Sequence, residues 1–381
     1  MKLYQKIQIH IPLFGLLRRI PKEVDSTQVL VLCDDALGDL LLMSGILKYL
    51  KTNGYTVTLV VRDTWKDIAA HLGAAHVIAV DMGLYRTSFR YRRDILNQVR
   101  HTHYAWAASS VFPSAINADL LTYCGARKRC VLKWNDSWLS RRRRFWANCK
   151  ITPILLKDNR HVHADILAFL AHYYSAILGR SLSKEEIAPA LTVFQPPDYP
   201  ALLPVCNYLL YISDTVNKIR RYPVEKLLPV LRKYAQQQHL KIVVTAKDPN
   251  PDLASDADVI NLTGKTSLAQ WWQILFHAQV VVGNETGSTH LSWILGKPTL
   301  MIYGGGHYGL FRPNKKCHLV YHLMKCYGCS WDCCPYVPMD KTAPCIEAIT
   351  PQDIDNSLSA LMSGAAAPAY SFSEQDFKKL T

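Results

Sequence analysis

Val280-Val281-Val282-Gly283-Asn284-Glu285-Thr286-Gly287-Ser288-Thr289-His290 is the stretch on which the fold turns. Its opening valines make a short apolar, β-branched run suited to a strand buried on both faces. Gly283 and Gly287 permit a turn, and a helix is expected over 288–295. A helix start presents free backbone N–H groups and the positive end of a dipole, which together suit a phosphate. Thr286 and Ser288 add hydroxyl donors, and His290, one turn in, is placed to face the same ligand. The Glu285 carboxylate would repel a phosphate, so sugar hydroxyls are its expected contact. The same letters also fit a plain helix cap, and the pattern alone leaves both readings open.

Strand and helix alternate outward from this stretch. In the second half, strands are expected over 208–212, 240–245, 259–262, 280–283 and 299–303, with helices over 224–237 and 268–277. In the first half, strands are expected over 29–32, 56–61, 76–80, 104–108 and 127–132, and a helix over 40–52 that ends at Asn53-Gly54. Strands separated by helices of this length make βαβ units and parallel sheets covered on both faces. Between the halves, Pro189, Pro196, Pro197, Pro200 and Pro204 mark a linker. The expected class is therefore α/β, with two Rossmann-like doubly wound domains facing a central cleft that takes the ligand. The expected boundaries are 1–188 (with an N-terminal arm, 1–27), a linker over 189–206, a second domain over 207–350, and a C-terminal helix and tail over 351–381.

Two further stretches sit where such a fold places chemistry. Asp34-Asp35-Ala36-Leu37-Gly38-Asp39 follows the first strand, and Asp39, after the flexible Gly38, is placed to act as a general base toward a substrate hydroxyl. The competing reading makes these acids helix-start residues favoured by the dipole. Asn217-Lys218-Ile219-Arg220-Arg221-Tyr222-Pro223 opens the second half; Pro223 suits a first helical turn, and the cations before it are placed to meet a diphosphate. Solvated surface charge is the alternative.

These stretches, in this order, resemble glycosyltransferase family 9, the heptosyltransferases of lipopolysaccharide core assembly. The resemblance lies in Leu37-Gly38-Asp39, in Arg220-Arg221-Tyr222-Pro223, and in Gly283-Asn284-Glu285-Thr286-Gly287 with His290, Leu295-Gly296-Lys297-Pro298 and Gly304. It spans residues 29–354. It implies a GT-B fold and an inverting, metal-independent transfer from a nucleotide sugar, with ADP-heptose the expected donor and no cofactor. Asp39 matches the family's proposed base. Arg220, beside Arg221, matches the basic residue that holds the donor phosphates, and Thr286 and Gly287 match donor-phosphate contacts. Glu285 stands where the family more often has Asp, and Gly304-Gly305-Gly306-His307 where better-known members have Gly-Pro-Thr. Transfer of another sugar, transfer onto a protein, and a silent nucleotide-sugar-binding scaffold are the competing functions.

Composition agrees with this reading. The 381 residues exceed one ordinary domain of roughly 100–200. Hydrophobic residues at 49% and charged ones at 19% exclude a disordered or fibrous chain. The formal charge of +14, from 44 Lys+Arg against 30 Asp+Glu, predicts an anionic partner. Arg86, Arg90, Arg92, Arg93 and Arg100 crowd one segment, and Arg141, Arg142, Arg143 and Arg144 run without a break. They are expected to attract an anionic glycolipid acceptor and the inner-membrane surface. A nucleic-acid partner is not expected, since no recognised motif accompanies the charge.

No bilayer-spanning apolar run is present; residues 29–50 are interrupted by Asp34, Asp35 and Asp39. Residues 7–17 are apolar, but Arg18-Arg19-Ile20-Pro21 follows where a signal peptide would need small residues. A cytoplasmic, membrane-peripheral enzyme is the expectation. Eleven cysteines then read as reduced thiols or metal ligands. Cys326, Cys329, Cys333, Cys334 and Cys345 cluster near Cys317 and fit either a structural zinc or iron site or free or partly disulfide-bonded thiols; their spacing lacks two clean Cys-x2-Cys pairs, both readings stay open, and no metal ligand is assigned.

Overall fold

The computed structural model describes residues 23–109, 115–132, 152–154, 166–189, 206–215, 217–250, 253, 258–307, 316–322, 324, 326, 329 and 334–365. The first 22 residues, most of the Pro-rich linker, the run Arg141, Arg142, Arg143 and Arg144, and Cys333 lie outside them. The chain divides into two compact units, one comprising 1–159 with 167–193 and the other 160–166 with 194–381.

The first unit is built on β1 (Gln28–Cys33), β2 (Thr56–Arg62), β3 (His76–Val80), β4 (Trp106–Ser109), β5 (Lys128–Leu132) and β6 (Thr152–Ile154). They form one sheet in the order β3-β2-β1-β4-β5-β6, and every neighbouring pair is parallel. Val29, Leu30, Val31 and Leu32 of the central β1 are fully buried, as a strand covered on both faces requires. Each contributes about 1.5–3 kcal/mol relative to exposure.

The second unit repeats the plan with β7 (Tyr208–Ile212), β8 (Lys241–Thr245), β9 (Val259–Asn261), β10 (Val280–Asn284), β11 (Thr299–Ile302) and β12 (Cys317–Val320). Its order is β12-β11-β10-β7-β8-β9, again all parallel. In both sheets the order reverses beside the first strand, between β1 and β4 and between β7 and β10. Ligands of doubly wound sheets bind outside the carboxyl ends of the strands at this reversal.

The helices Val224–Gln237 and Leu268–His277 match their expected bounds. The helix expected over 40–52 is instead two, Leu37–Leu42 and Ser44–Thr52. Gly45 explains why this corner holds a glycine: a Cβ there would lie 1.9 Å from the Ile187 carbonyl oxygen, so only glycine admits that close backbone pass. β6, β12 and the helix Ile166–Leu178 were not anticipated. Cys317 belongs to β12 and is 2% exposed, so it is a sheet residue rather than a member of the cysteine cluster.

Candidate active site

β10 ends beside β7, with Gly283 in register with Ile212. A Cβ on Gly283 would meet Thr289 Oγ1 at 2.7 Å and the Ile212 carbonyl at 3.2 Å, so glycine lets the following helix close on the strand end. That helix is Gly287–Ile294, one residue earlier than expected, with Thr286 as its N-cap. The Thr289 amide donates to Thr286 Oγ1 at 3.4 Å, and the Thr289 hydroxyl donates to the Asn284 carbonyl at 2.7 Å. The helix start is therefore capped, as the competing reading required. Thr286, Gly287 and Ser288 also stay half-buried at the carboxyl edge of the sheet, where a phosphate would be received.

Asn284, to which sequence reasoning gave no role, joins the two donor motifs. Its side chain is fully buried and accepts from the Tyr222 amide at 2.9 Å, while its Nδ2 donates to the Ser213 carbonyl at 3.4 Å. Tyr222 is also fully buried, and its hydroxyl donates to the Ile349 carbonyl at 2.9 Å. These bonds hold the segment after β7 against the end of β10 and bring Arg220 to Glu285, with Nη1 to Oε2 at 3.5 Å. Arg221 points elsewhere: it is 44% exposed and pairs with Asp214 at 3.4 Å.

Glu285 is 3% exposed and meets three protein groups. Besides Arg220, both its oxygens lie 3.1 Å from His307 Nδ1, and its Oε1 lies 3.7 Å from His290 Nε2. Burial pushes its carboxyl up. The charge of His307 and its hydrogen bonds, the nearby His290 ring, and the charge of Arg220 outweigh burial and hold it well below the usual carboxylate range. His290 lies one turn into the helix Gly287–Ile294. It is 3% exposed, and its Nδ1 accepts from Trp293 Nε1 at 3.1 Å; an indole N–H only donates, so the ring proton lies on Nε2, toward Glu285. His307 comes from the turn Gly305–His307 after β11, and its carbonyl accepts from the Tyr303 hydroxyl. The one sequence signal for His307 was its place after a strand in a Gly-rich loop.

At the reversal point of the first sheet, the three acids divide. Asp34 is 4% exposed; its Oδ1 accepts from Asn117 Nδ2 at 2.8 Å and its carbonyl accepts from Arg62 Nε. It ties β1 to the helix Ala115–Tyr123 that follows β4. The Asp35 carbonyl accepts from Trp65 Nε1 at 3.3 Å. Asp39 is half-buried in the first turn of Leu37–Leu42. Burial, then the charges of Asp35 and Asp39, push the Cys33 thiol well up.

The basic segment needs a correction. Arg86, Arg90 and Arg93 are exposed, but Arg92 is 2% exposed and holds Asp119, through Nε to Oδ2 at 2.8 Å and Nη2 to Oδ1 at 2.6 Å. The Tyr85 hydroxyl donates to the same carboxylate at 2.7 Å. Arg92 is a core ion pair and offers nothing to a surface ligand; Arg100, at 9% exposure, is also buried.

Cys326, Cys334 and Cys345 are free thiols, with Cys329 in the same segment. Burial pushes the Cys345 thiol up to about 11 against a bond from the Gly305 amide, and the charges of the other three add to the rise. Among the described residues, no three His, Cys, Asp or Glu side chains are grouped so as to hold a metal ion.

The model of glycosyltransferase family 9 (heptosyltransferase) matches residues 97–329, more than half of the chain. The chain belongs to glycosyltransferase family 9. No curated protein matches it by sequence. Its structure is similar to that of E. coli ADP-heptose lps heptosyltransferase II, with a TM-score of 0.64 at 15% identity, over 88% of this chain and 98% of that one. E. coli heptosyltransferase WaaC with ADP-2-deoxy-2-fluoro heptose gives 0.61 at 16% identity, over 87% and 99%. The iron-containing dodecameric glycosyltransferase TibC from enterotoxigenic E. coli gives 0.54 at 15% identity, over 90% and 78%. At these identities the likeness shows the fold. As in its family-9 neighbours, that fold is GT-B, with two Rossmann-like units.

Proposed function

We propose that this chain is an inverting, metal-independent glycosyltransferase that moves heptose from ADP-heptose onto a sugar of an anionic lipopolysaccharide-core glycolipid. The observation that carries this reading is the meeting of Arg220 with Glu285 at the reversal point of the second sheet, beside the helix start at Gly287. Doubly wound sheets bind nucleotides at that point. ADP-heptose is favoured because similar structures carry ADP-2-deoxy-2-fluoro heptose in WaaC and ADP-D-beta-D-heptose in TibC.

In this mechanism Asp39 takes the proton from the acceptor hydroxyl as its oxygen attacks the anomeric carbon. The bond to the diphosphate breaks on the opposite face, which inverts the configuration. Negative charge grows on the leaving diphosphate and is met by Arg220 and by the amides at Gly287 and Ser288. Transfer of another nucleotide-activated sugar is the second reading. It is favoured by Glu285 and His307, which touch each other where the family pattern has Asp and Gly-Pro-Thr.

A panel of nucleotide sugars, scored for binding and for turnover, tests the proposal. ADP-heptose should bind and turn over best. Preference for another donor selects the second reading, and binding without turnover of any donor makes the chain a silent nucleotide-sugar-binding protein. Arg220→Ala should weaken donor binding by about 1.5–3 kcal/mol, as for a charge-assisted contact, and Thr286→Ala by about 0.5–1.5. Calorimetry that finds both variants binding like wild type would put the diphosphate elsewhere.

The membrane side of the proposal rests on exposed Arg86, Arg90 and Arg93 beside exposed Leu84 (48%) and Phe89 (39%). No helix among the described residues is long and apolar enough to cross a membrane. Contact is therefore proposed as peripheral, on the cytoplasmic face of the inner membrane. Each cation near an anionic surface adds on the order of 1 kcal/mol. Changing Arg86, Arg90 and Arg93 together to Gln should reduce co-sedimentation with anionic vesicles at low salt, and the difference should fade at high salt. Equal sedimentation at low salt would leave this as a solvated face.

A further inference from the structure

Glu285 has more protein partners than a carboxylate waiting for a sugar needs. The cation that the donor-site reading gives to the diphosphate, Arg220, lies 3.5 Å from this buried carboxylate. A diphosphate must therefore compete with Glu285 for the guanidinium. The strength of that competition depends on how much of the Glu285 charge is met by other groups. His307 supplies the shortest contacts, 3.1 Å from Nδ1 to each oxygen. An ionised carboxylate only accepts, so the His307 ring keeps a proton on Nδ1. His290, oriented by Trp293, supplies the third.

We propose that His307 is a positioning residue of the donor site, compensating Glu285 so that Arg220 can leave it for the donor diphosphate. The proposal rests on the donor-site reading above. Without His307, Arg220 becomes the main counter-charge of a carboxylate 3% exposed, and a buried charge holds a remaining cation more tightly because losing it leaves the charge poorly compensated. His307 then acts on donor affinity through Glu285 and Arg220, with no contact to the donor required.

The test uses the full chain and calorimetry with ADP, UDP and GDP, on wild type, His307→Leu, Glu285→Gln and the double variant. His307→Leu should weaken nucleoside diphosphate binding by roughly 5- to 150-fold, the usual range for a coupling between sites. Glu285→Gln alone should bind at least as tightly as wild type, because the competitor for Arg220 has lost its charge. The double variant should regain that affinity, which a merely structural role for His307 would not allow. With a nucleotide-sugar donor, His307→Leu should raise KM more than it lowers kcat.

Wild-type binding by His307→Leu, or a double variant as weak as His307→Leu, overturns the proposal. So does weaker nucleoside diphosphate binding by Glu285→Gln, which would make the carboxylate a direct ligand contact. If His307→Leu fails to fold, Glu285→Gln decides alone, on the same sign. A wild type that binds none of the three nucleotides overturns the donor-site reading and this inference together. A wild type that binds, with variants that do not differ, overturns the inference only.

Discussion

Asp39→Ala should lower turnover by about 10²–10⁴-fold, the range expected for a lost general base. Donor affinity should change little, because the base serves the acceptor hydroxyl and the donor groups Arg220 and Thr286 are untouched. Three acids crowd this strand end, and the structure separates them. Asp34 is bonded to Asn117 at 2.8 Å and is 4% exposed, so its removal should appear as lost stability. Asp39 lies half-buried in the first turn of a six-residue helix, directly after Gly38. The decisive measurement is turnover of purified, folded Asp39→Ala beside calorimetry with ADP. Near-normal turnover would remove Asp39 from the mechanism.

Arg92→Ala should destabilise the first unit by about 3–5 kcal/mol, since removing one partner of a buried ion pair strands the other. Asp119 is 7% exposed and would keep only the Tyr85 hydroxyl among the bonds described above. For a unit of this size that is a fall in Tm of about 6–20 °C. Replacing both partners with apolar residues, Arg92→Met with Asp119→Leu, should cost far less, because no charge is then left buried. Denaturant unfolding of the two variants measures the contrast. A loss below about 1 kcal/mol for Arg92→Ala would mean that the pair is solvated.

Arg92 also shows how a sequence reading goes astray while the signal is present. In the helix Phe89–Val99 it shares a face with Ile95, Leu96 and Val99, at three, four and seven residues on, and all four are buried. Counting arginines in the segment gave a basic surface; sorting them by helical face would have left Arg86, Arg90 and Arg93 outside. The missed strand β12, Cys-His-Leu-Val, is too short and too mixed in polarity to stand out by period, and it appears only because it pairs with β11. Gly45 of the second helix packs against the Ile187 carbonyl, which comes from more than a hundred residues away, so no local pattern could show why a glycine stands there.

What this chain's sequence determines by itself is local. The buried runs of β1, β7 and β10, the glycine turns after them, and the helices that follow depend on residue period and backbone freedom, which are properties of neighbouring residues. The motifs carried by those turns identify the family for the same reason. The state of the donor groups is decided only by tertiary structure. Asn284 reaches back to Tyr222, Glu285 meets Arg220 and His307, and His290 turns to Trp293. Where a side chain has come to rest among charges from other strands, its ionisation and its partner are set by distance and burial, and these exist only once the strands have assembled side by side.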